Sequence, residues 1–226
     1  MGSAEILPFL KQVTIFTGCH ESVLARLARA SQMRHVPDRC VLFNKDDPAT
    51  FLHILRSGLV TSVLMTPDGR ELVINESCSG ETIGEVAAAT SQPYWANAIT
   101  RGPAELVLIP TPDFAAALAE EPRIMVNMLG NLAGWLRTST ERESALAFLD
   151  APARLALLLL KLDREASSIG YLTISQEELA QYVGVTRQTA ARVLGQWRRA
   201  GWIFTGRGRV ALLNRNALRR LTEESA

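Results

Sequence analysis

The chain has 226 residues, 47% of them hydrophobic and 21% charged, with 24 Lys and Arg against 23 Asp and Glu for a formal net charge of +1. This is the composition of an ordinary globular protein long enough for more than one domain; it excludes a disordered chain, a disulfide scaffold and a protein that coats nucleic acid along its whole length. The longest apolar run, Leu155 to Leu160 between Arg154 and Lys161, is far too short to span a bilayer and reads as a buried helix. Met1-Gly2-Ser3-Ala4 lacks the basic region and apolar stretch of a secretory signal, so a cytoplasmic location with no membrane partner is expected.

A first helix is marked by the apolar positions Val23, Leu24, Leu27 and Ala28. Between Val41 and Ile109 the pattern changes to short apolar strands, including 51–55, 59–65, 72–74 and 106–109. Gly58, Gly69 and Gly80 recur at the turn spacing of a sandwich or barrel, and Pro67-Asp68-Gly69 reads as a hairpin turn. From Pro122 a long helical pattern runs through Met125, Met128, Leu129, Leu132, Leu136, Ser139, Glu143 and Leu146. It is close to a heptad seam, which predicts a symmetric homodimer. Gly130 and Gly134 flank Trp135 and weaken the helix there.

Ile174 to Leu194 reads as two short helices joined by a glycine turn, the layout of a DNA-reading helix-turn-helix. Ser175 caps the first helix with Glu178 reaching back, and Ile174 staples against Leu179. Gly184 stops that helix in the left-handed region, and Thr186 caps the next. In the second helix Ala190, Val193, Leu194 and Trp197 form a core-facing stripe. Arg187, Gln188 and Arg192 occupy the other face, where they are placed to reach base edges, the arginines for guanine. Ser175, Gln176, Thr186 and Thr189 are further DNA contacts. Downstream, Ile203 to Leu213 predicts a hairpin turned by Gly206 and Gly208, a wing whose Arg207 and Arg209 touch phosphates. From Ser175 to Arg220 there are nine arginines against Glu177 and Glu178, a local basic footprint.

The order of these parts resembles the cyclic-AMP receptor protein and fumarate-nitrate regulator (CRP/FNR) family along almost the whole chain. Gly80-Glu81-Thr82-Ile83-Gly84-Glu85-Val86 is similar to that family's ligand cassette, Ala145 to Asp150 to its hinge, and Val183 to Thr189 to its recognition-helix entry. The resemblance implies an α+β protein with three parts: an N-terminal β-roll of the cyclic-nucleotide-binding, jelly-roll-like type over 1–121, a dimerisation helix and hinge over 122–149, and a C-terminal winged helix-turn-helix over 150–226. It also implies a transcriptional regulator that binds two-fold symmetric double-stranded DNA and meets RNA polymerase.

In cyclic-AMP-binding members the cassette continues to an arginine followed by serine or threonine, which hold the cyclic phosphate. Here Trp95 and Ala96 stand in those places. That leaves Glu85 as ribose partner and Ser139 or Thr140 as base contacts, with Arg101 the nearest substitute cation in sequence. The effector-binding set implied is Ile83, Gly84, Glu85, Val86, Trp95, Ala96, Trp135, Ser139 and Thr140. With Tyr94, the two tryptophans also suit an aromatic or apolar effector.

Haem is an alternative cofactor, with Cys19, His20, His35, His53 and Cys78 as nominal ligands for nitric oxide or carbon monoxide sensing. Effector-independent regulation is another. The spacing of Cys19, Cys40 and Cys78 does not suit an iron-sulfur cluster. A cupin-like metalloenzyme would need clustered histidines, whereas His20, His35 and His53 are isolated. No nucleophile elbow or phosphate-binding loop is present, so neither catalytic nor metal residues are expected.

Overall fold

In the computed structural model, residues 3–67, 69, 71–165 and 170–224 are described. The elements run α1 (Ser3–Leu10), a 3-10 turn (Thr14–Phe16), α2 (Glu21–Ala30), β1 (Gln32–Val36), β2 (Val41–Phe43), β3 (Phe51–Ser57), β4 (Val60–Met65), β5 (Glu71–Ser77), β6 (Thr82–Ile83) and α3 (Glu85–Thr90). Then follow β7 (Asn97–Thr100), β8 (Ala104–Pro110), α4 (Thr111–Glu120), α5 (Pro122–Phe148), α6 (Ala151–Glu165), β9 (Leu172–Thr173), α7 (Gln176–Val183), α8 (Arg187–Arg199), β10 (Ile203–Gly206), β11 (Arg209–Leu212) and α9 (Arg215–Glu224). Two compact units result: residues 1–65 with 73–136, and residues 66–72 with 137–226. The long helix α5 contributes to both.

The first unit is a β-roll of two four-stranded sheets, ordered β1-β8-β3-β6 and β2-β7-β4-β5. Strand β8 is apolar at every position but Glu105, and β3 is apolar from Phe51 to Leu55 except at His53, because their sheet is covered on both faces. Leu52, Ile54, Val107 and Ile109 join the helical core of Leu10, Phe16, Leu24, Leu27, Phe114 and Ile124. The alternate residues Leu55, Leu106 and Leu108 point into the roll with Val36, Phe43, Ile83 and Tyr94. The four expected strand runs are all strands, and Val23, Leu24, Leu27 and Ala28 are the buried face of α2. Gly58, Gly69 and Gly80 all have positive φ. Of the expected hairpin turn, Asp68 lies outside the described residues, while the Gly69 N–H donates to the Thr66 carbonyl at 2.9 Å.

His53 is the one histidine taken into this interior, at 4% exposure, ringed by Phe43, Phe51 and Tyr94 with centroid distances of 5.2, 6.4 and 6.2 Å. Burial, assisted by the Arg34 charge and opposed by the Phe51 carbonyl, lowers its pKa to about 4 from 6.5. Between those values the unfolded chain binds the extra proton, so stability complete above pH 6.5 is lost as the pH falls towards 4. At about 1.4 kcal/mol per unit, roughly 2 kcal/mol should be gone at pH 5. Urea denaturation at pH 7.5 and pH 5 should show this loss in the wild type and a smaller one in His53→Phe.

The second unit carries α6, the three-stranded sheet β10-β11-β9 and helices α7 to α9. Its core joins Leu155, Ala156 and Leu159 of α6 to Leu179, Val183, Val193, Leu194, Trp197 and Ile203. The apolar run in α6 is thus a core helix, but Leu157 is 41% exposed, so the run is buried on one face and not all round.

Candidate nucleic-acid interface

The local sequence builds this site from two caps and a corner. The Ser175 hydroxyl accepts the Glu178 N–H at 3.1 Å, and the Glu178 carboxylate accepts the Ser175 N–H at 2.7 Å, closing a full capping box on α7. Gly184 ends the helix at φ 68° and ψ 42°, a conformation that a β-carbon disfavours. Val185 N–H then returns to the Ala180 carbonyl at 3.0 Å. The Thr186 hydroxyl accepts the Thr189 N–H at 3.1 Å and starts α8. Ala190, Val193, Leu194 and Trp197 are buried as the spacing predicts, which leaves Arg187, Gln188 and Arg192 exposed on the opposite face.

The remaining expected contacts divide by how free they are. Gln176 is exposed, whereas the Ser175 oxygen is occupied by its cap and the Thr186 and Thr189 hydroxyls lie 2.9 Å from each other. Arg187 sits 3.9 Å from the Glu177 carboxylate, both side chains more than half exposed, an arrangement worth little in water. Strands β10 and β11 form the wing, with Arg207 and Gly208 as its two-residue tip. Only Gly208 takes a left-handed conformation; Gly206 stays in the ladder opposite Arg209, because a two-residue loop leaves it paired. β9 adds a third strand that the sequence pattern did not reveal.

Arg207 and Arg209 are both exposed, and the Arg209 guanidinium lies 4.6 Å from the centre of the Tyr171 ring. Arg215 is exposed but committed within the fold: it pairs bidentately with Asp163 at 2.7 and 2.8 Å and tethers α9 to α6. This partner raises its pKa further. Arg154 was also invisible to motif reading. Its guanidinium donates to the Leu149 carbonyl at 2.9 Å and to the Val183 carbonyl at 3.2 Å, joining the hinge after α5 to the C-terminal end of α7. There it also complements the negative end of that helix.

The cassette residues of the first unit have a different fate. Tyr94 is buried, stacked on Phe43 at a centroid distance of 3.6 Å, with its hydroxyl donating to the Phe51 carbonyl at 2.6 Å. It therefore does not join Trp95 in one pocket: Tyr94 is turned into the roll, whereas Trp95 sits in the bend before β7. Trp95 is 46% exposed and meets Trp135 edge-to-face at 5.3 Å; Ala96 is buried. A β-carbon on Gly84 would lie 2.5 Å from the Tyr94 ring, so that ring fills the space in front of the cassette turn. Burial raises the pKa of Glu85 against the opposing hydrogen bond from Thr82. Arg101 donates to the Thr61 hydroxyl at 3.3 Å. Ser139 and Thr140 lie on the part of α5 that belongs to the second unit. Of the nominal haem ligands, His20 precedes α2 at its N-cap position and lies within 2.6 Å of Glu121, and His35 is 3.4 Å from Glu105. Cys19 packs against the helical core and Cys78 is exposed. Among the described residues no three His, Cys, Asp or Glu side chains converge as a metal site.

A winged helix-turn-helix joined to a cyclic-nucleotide-binding-type roll defines a DNA-binding transcriptional regulator. Residues 33–121 match the cyclic nucleotide-binding domain family and residues 153–221 the Crp-like helix-turn-helix domain family. The chain is 30% identical over 200 residues to the CRP-like cAMP-activated global transcriptional regulator of Mycobacterium tuberculosis, covering 86% of this chain and 89% of that protein. It is 32% identical over 212 residues to the CRP-like protein Clp of Xanthomonas campestris pv. campestris, covering 89% and 90%. The solved structure of the c-di-GMP responsive global regulator CLP of Xanthomonas campestris superposes with a TM-score of 0.77 at 31% identity, covering 85% of this chain and 99% of that one. The protein belongs to the CRP-like family of transcriptional regulators. Such regulators are not enzymes, and no described helix is long and apolar enough to cross a membrane.

Replacing Ser175 with alanine removes one half of the capping box and should cost about 1 kcal/mol, read as a lower urea midpoint at unchanged slope.

Proposed function

We propose that this regulator acts in the cytoplasm as a homodimer that lays one α8 helix into each of two consecutive major grooves, with half-sites roughly 34 Å apart. The observation that carries the reading is the exposed Arg187–Gln188–Arg192 face on a helix whose start and corner are fixed by side-chain caps. Arg187 and Arg192 read guanines; Gln188 sets the base pair between them; Arg207 and Arg209 hold phosphates. Gln176, Ser175, Thr186 and Thr189 supply backbone contacts, and RNA polymerase is the further partner expected of a transcription regulator. The division into a sensor over 1–121, a dimerisation helix and hinge over 122–149 and a DNA-binding domain over 150–226 goes with this reading.

Support for the dimer comes from α5. Ile124 and Met128 are buried in the first unit's core, so Met128 does not belong to a seam between subunits. Met125, Val126, Leu129 and Leu136 are between 47% and 65% exposed in the single chain. Gly130 and Gly134 have no neighbour within 4 Å of an added β-carbon. An apolar stripe of this kind on a soluble chain marks an interaction surface. Two copies of α5 packed along it bring both DNA-binding units to one operator.

For the effector, the cassette Ile83–Val86 with Trp95, Ala96, Trp135, Ser139 and Thr140 remains the proposed binding set, and the Trp95–Trp135 pair supports an aromatic effector. A cyclic nucleotide held in the usual way does not fit these residues, because its phosphate would meet Trp95 and Ala96 instead of a cation and a hydroxyl. The two relatives carry different effectors in their names, cAMP and c-di-GMP, at nearly equal identity, so neither transfers by similarity. The Tyr94 ring filling the space before Gly84 favours a second reading, regulation without an effector.

Leu129→Glu with Leu136→Glu should convert the dimer to monomer in sedimentation velocity and abolish binding to a two-half-site duplex. In binding selections from randomised duplex, Gln188→Glu should move preference towards cytosine at one position per half-site. Arg207→Ala should instead weaken all sequences alike and lower the salt slope by about 1. DNA affinity measured with and without cAMP and c-di-GMP should be the same; a tenfold gain with either would overturn the reading of the cassette.

A further inference from the structure

The outward face of the wing sheet is apolar, where the solvated side of a small antiparallel sheet is ordinarily polar. Leu172, Ile203, Val210 and Leu212 turn inward and are buried, so the residues that alternate with them turn outward. On that side Phe204 is 61% exposed and Leu213 62% exposed. Ala211 stands directly opposite Phe204, and the Leu213 N–H continues the ladder by donating to the Trp202 carbonyl at 2.9 Å.

Register puts the Phe204 ring beside a cation. Phe204 pairs with Ala211 and Gly206 with Arg209. Phe204 and Arg209 are therefore diagonal neighbours on one face, a spacing of roughly 7 Å that long side chains bridge. Gly206 leaves the ground between them open: Cε1 of Phe204 comes 3.7 Å from where a β-carbon on Gly206 would stand, so the ring leans along the strand towards the tip. On the other flank the Arg209 guanidinium lies 4.6 Å from the centre of the Tyr171 ring. A ring, a guanidinium and a second ring thus cross the sheet in order. The segments that build this face, Tyr171 to Thr173 and Ile203 to Leu213, contain Arg207 and Arg209 and no acidic residue.

We propose that Phe204 is a sugar contact of the DNA interface, its exposed ring covering the deoxyribose next to the phosphate that Arg209 holds. The partner is set by the helix-turn-helix and not by this patch, and the inference rests on the phosphate role proposed for Arg209. What the patch specifies is the kind of contact. Phosphate and sugar alternate along a DNA strand, and an acid-free strip in which a cation adjoins an apolar ring matches both. Leaving the ring in water gains nothing, whereas covering it is favourable in proportion to the area removed from water. Because the sugar is the same at every base pair, Phe204 adds affinity to all sequences and leaves the preference set by α8 unchanged.

Fluorescence anisotropy of the full-length protein on a selected operator and on an unrelated duplex, across a series of salt concentrations, tests this. Phe204→Ser should weaken both complexes alike, by about fivefold. Its salt slope should stay at the wild-type value, because an apolar contact releases no counterion, whereas Arg209→Ala should lower the slope by about 1. Phe204→Leu should recover most of the lost affinity. The urea midpoint of Phe204→Ser should match the wild type, since the ring is mostly in water. Unchanged DNA affinity in Phe204→Ser would overturn the proposal, and loss of in vitro transcription by that variant would then assign the face to a protein. A changed salt slope or base preference in Phe204→Ser would overturn the sugar contact. A wild-type protein that selects no operator would overturn the DNA-binding reading and this contact with it, an outcome distinct from failure at Phe204 alone.

Discussion

The ladder between β3 and β8 is the constraint on which the first unit rests. Burying one sheet on both faces forces alternate residues of the same strands to serve two different interiors: Leu52, Ile54, Val107 and Ile109 meet the helices, while His53, Leu55, Leu106 and Leu108 line the roll. A one-residue slip would exchange the two sets and put an imidazole into the helical core. The start of α5 is held by the same helical core through Ile124 and Met128, so the helix that continues into the DNA-binding unit is anchored by the sheet.

How much of this was legible depended on whether the signal was local. The capping box at Ser175, the left-handed Gly184 and the Thr186 cap are decided within four residues of themselves, and the sequence reading placed each of them. So were the strands with continuous apolar runs. β1, β6 and β9 escaped because they are short or polar and exist through pairing with a distant strand. The wing was expected with two special glycines and uses one, since hairpin register and not glycine count decides which residue must turn.

Side-chain direction was the harder part of the sites. Tyr94 and Trp95 are neighbours that face opposite ways, and only the Phe43 stack and the Phe51 carbonyl show which of them enters the roll. Met128 fitted the heptad pattern, yet that pattern carries no information about whether the partner is the same chain or another copy. Arg215 was counted in the basic footprint and Arg154 carried no signal; their fixed geometry on Asp163 and on backbone carbonyls makes both structural cations. Arg187, Arg192 and Arg207 are, by contrast, exposed.

The two arginines of the wing differ in a way that bears on timing. Arg209 lies across the Tyr171 ring, which restricts its long side chain, whereas Arg207 at the tip is exposed. Ordering such a side chain costs on the order of 1 kcal/mol of rotamer freedom. Tyr171 therefore supplies preorganisation: any partner that Arg209 meets leaves that side chain less rotamer freedom to lose than the same contact at Arg207 would.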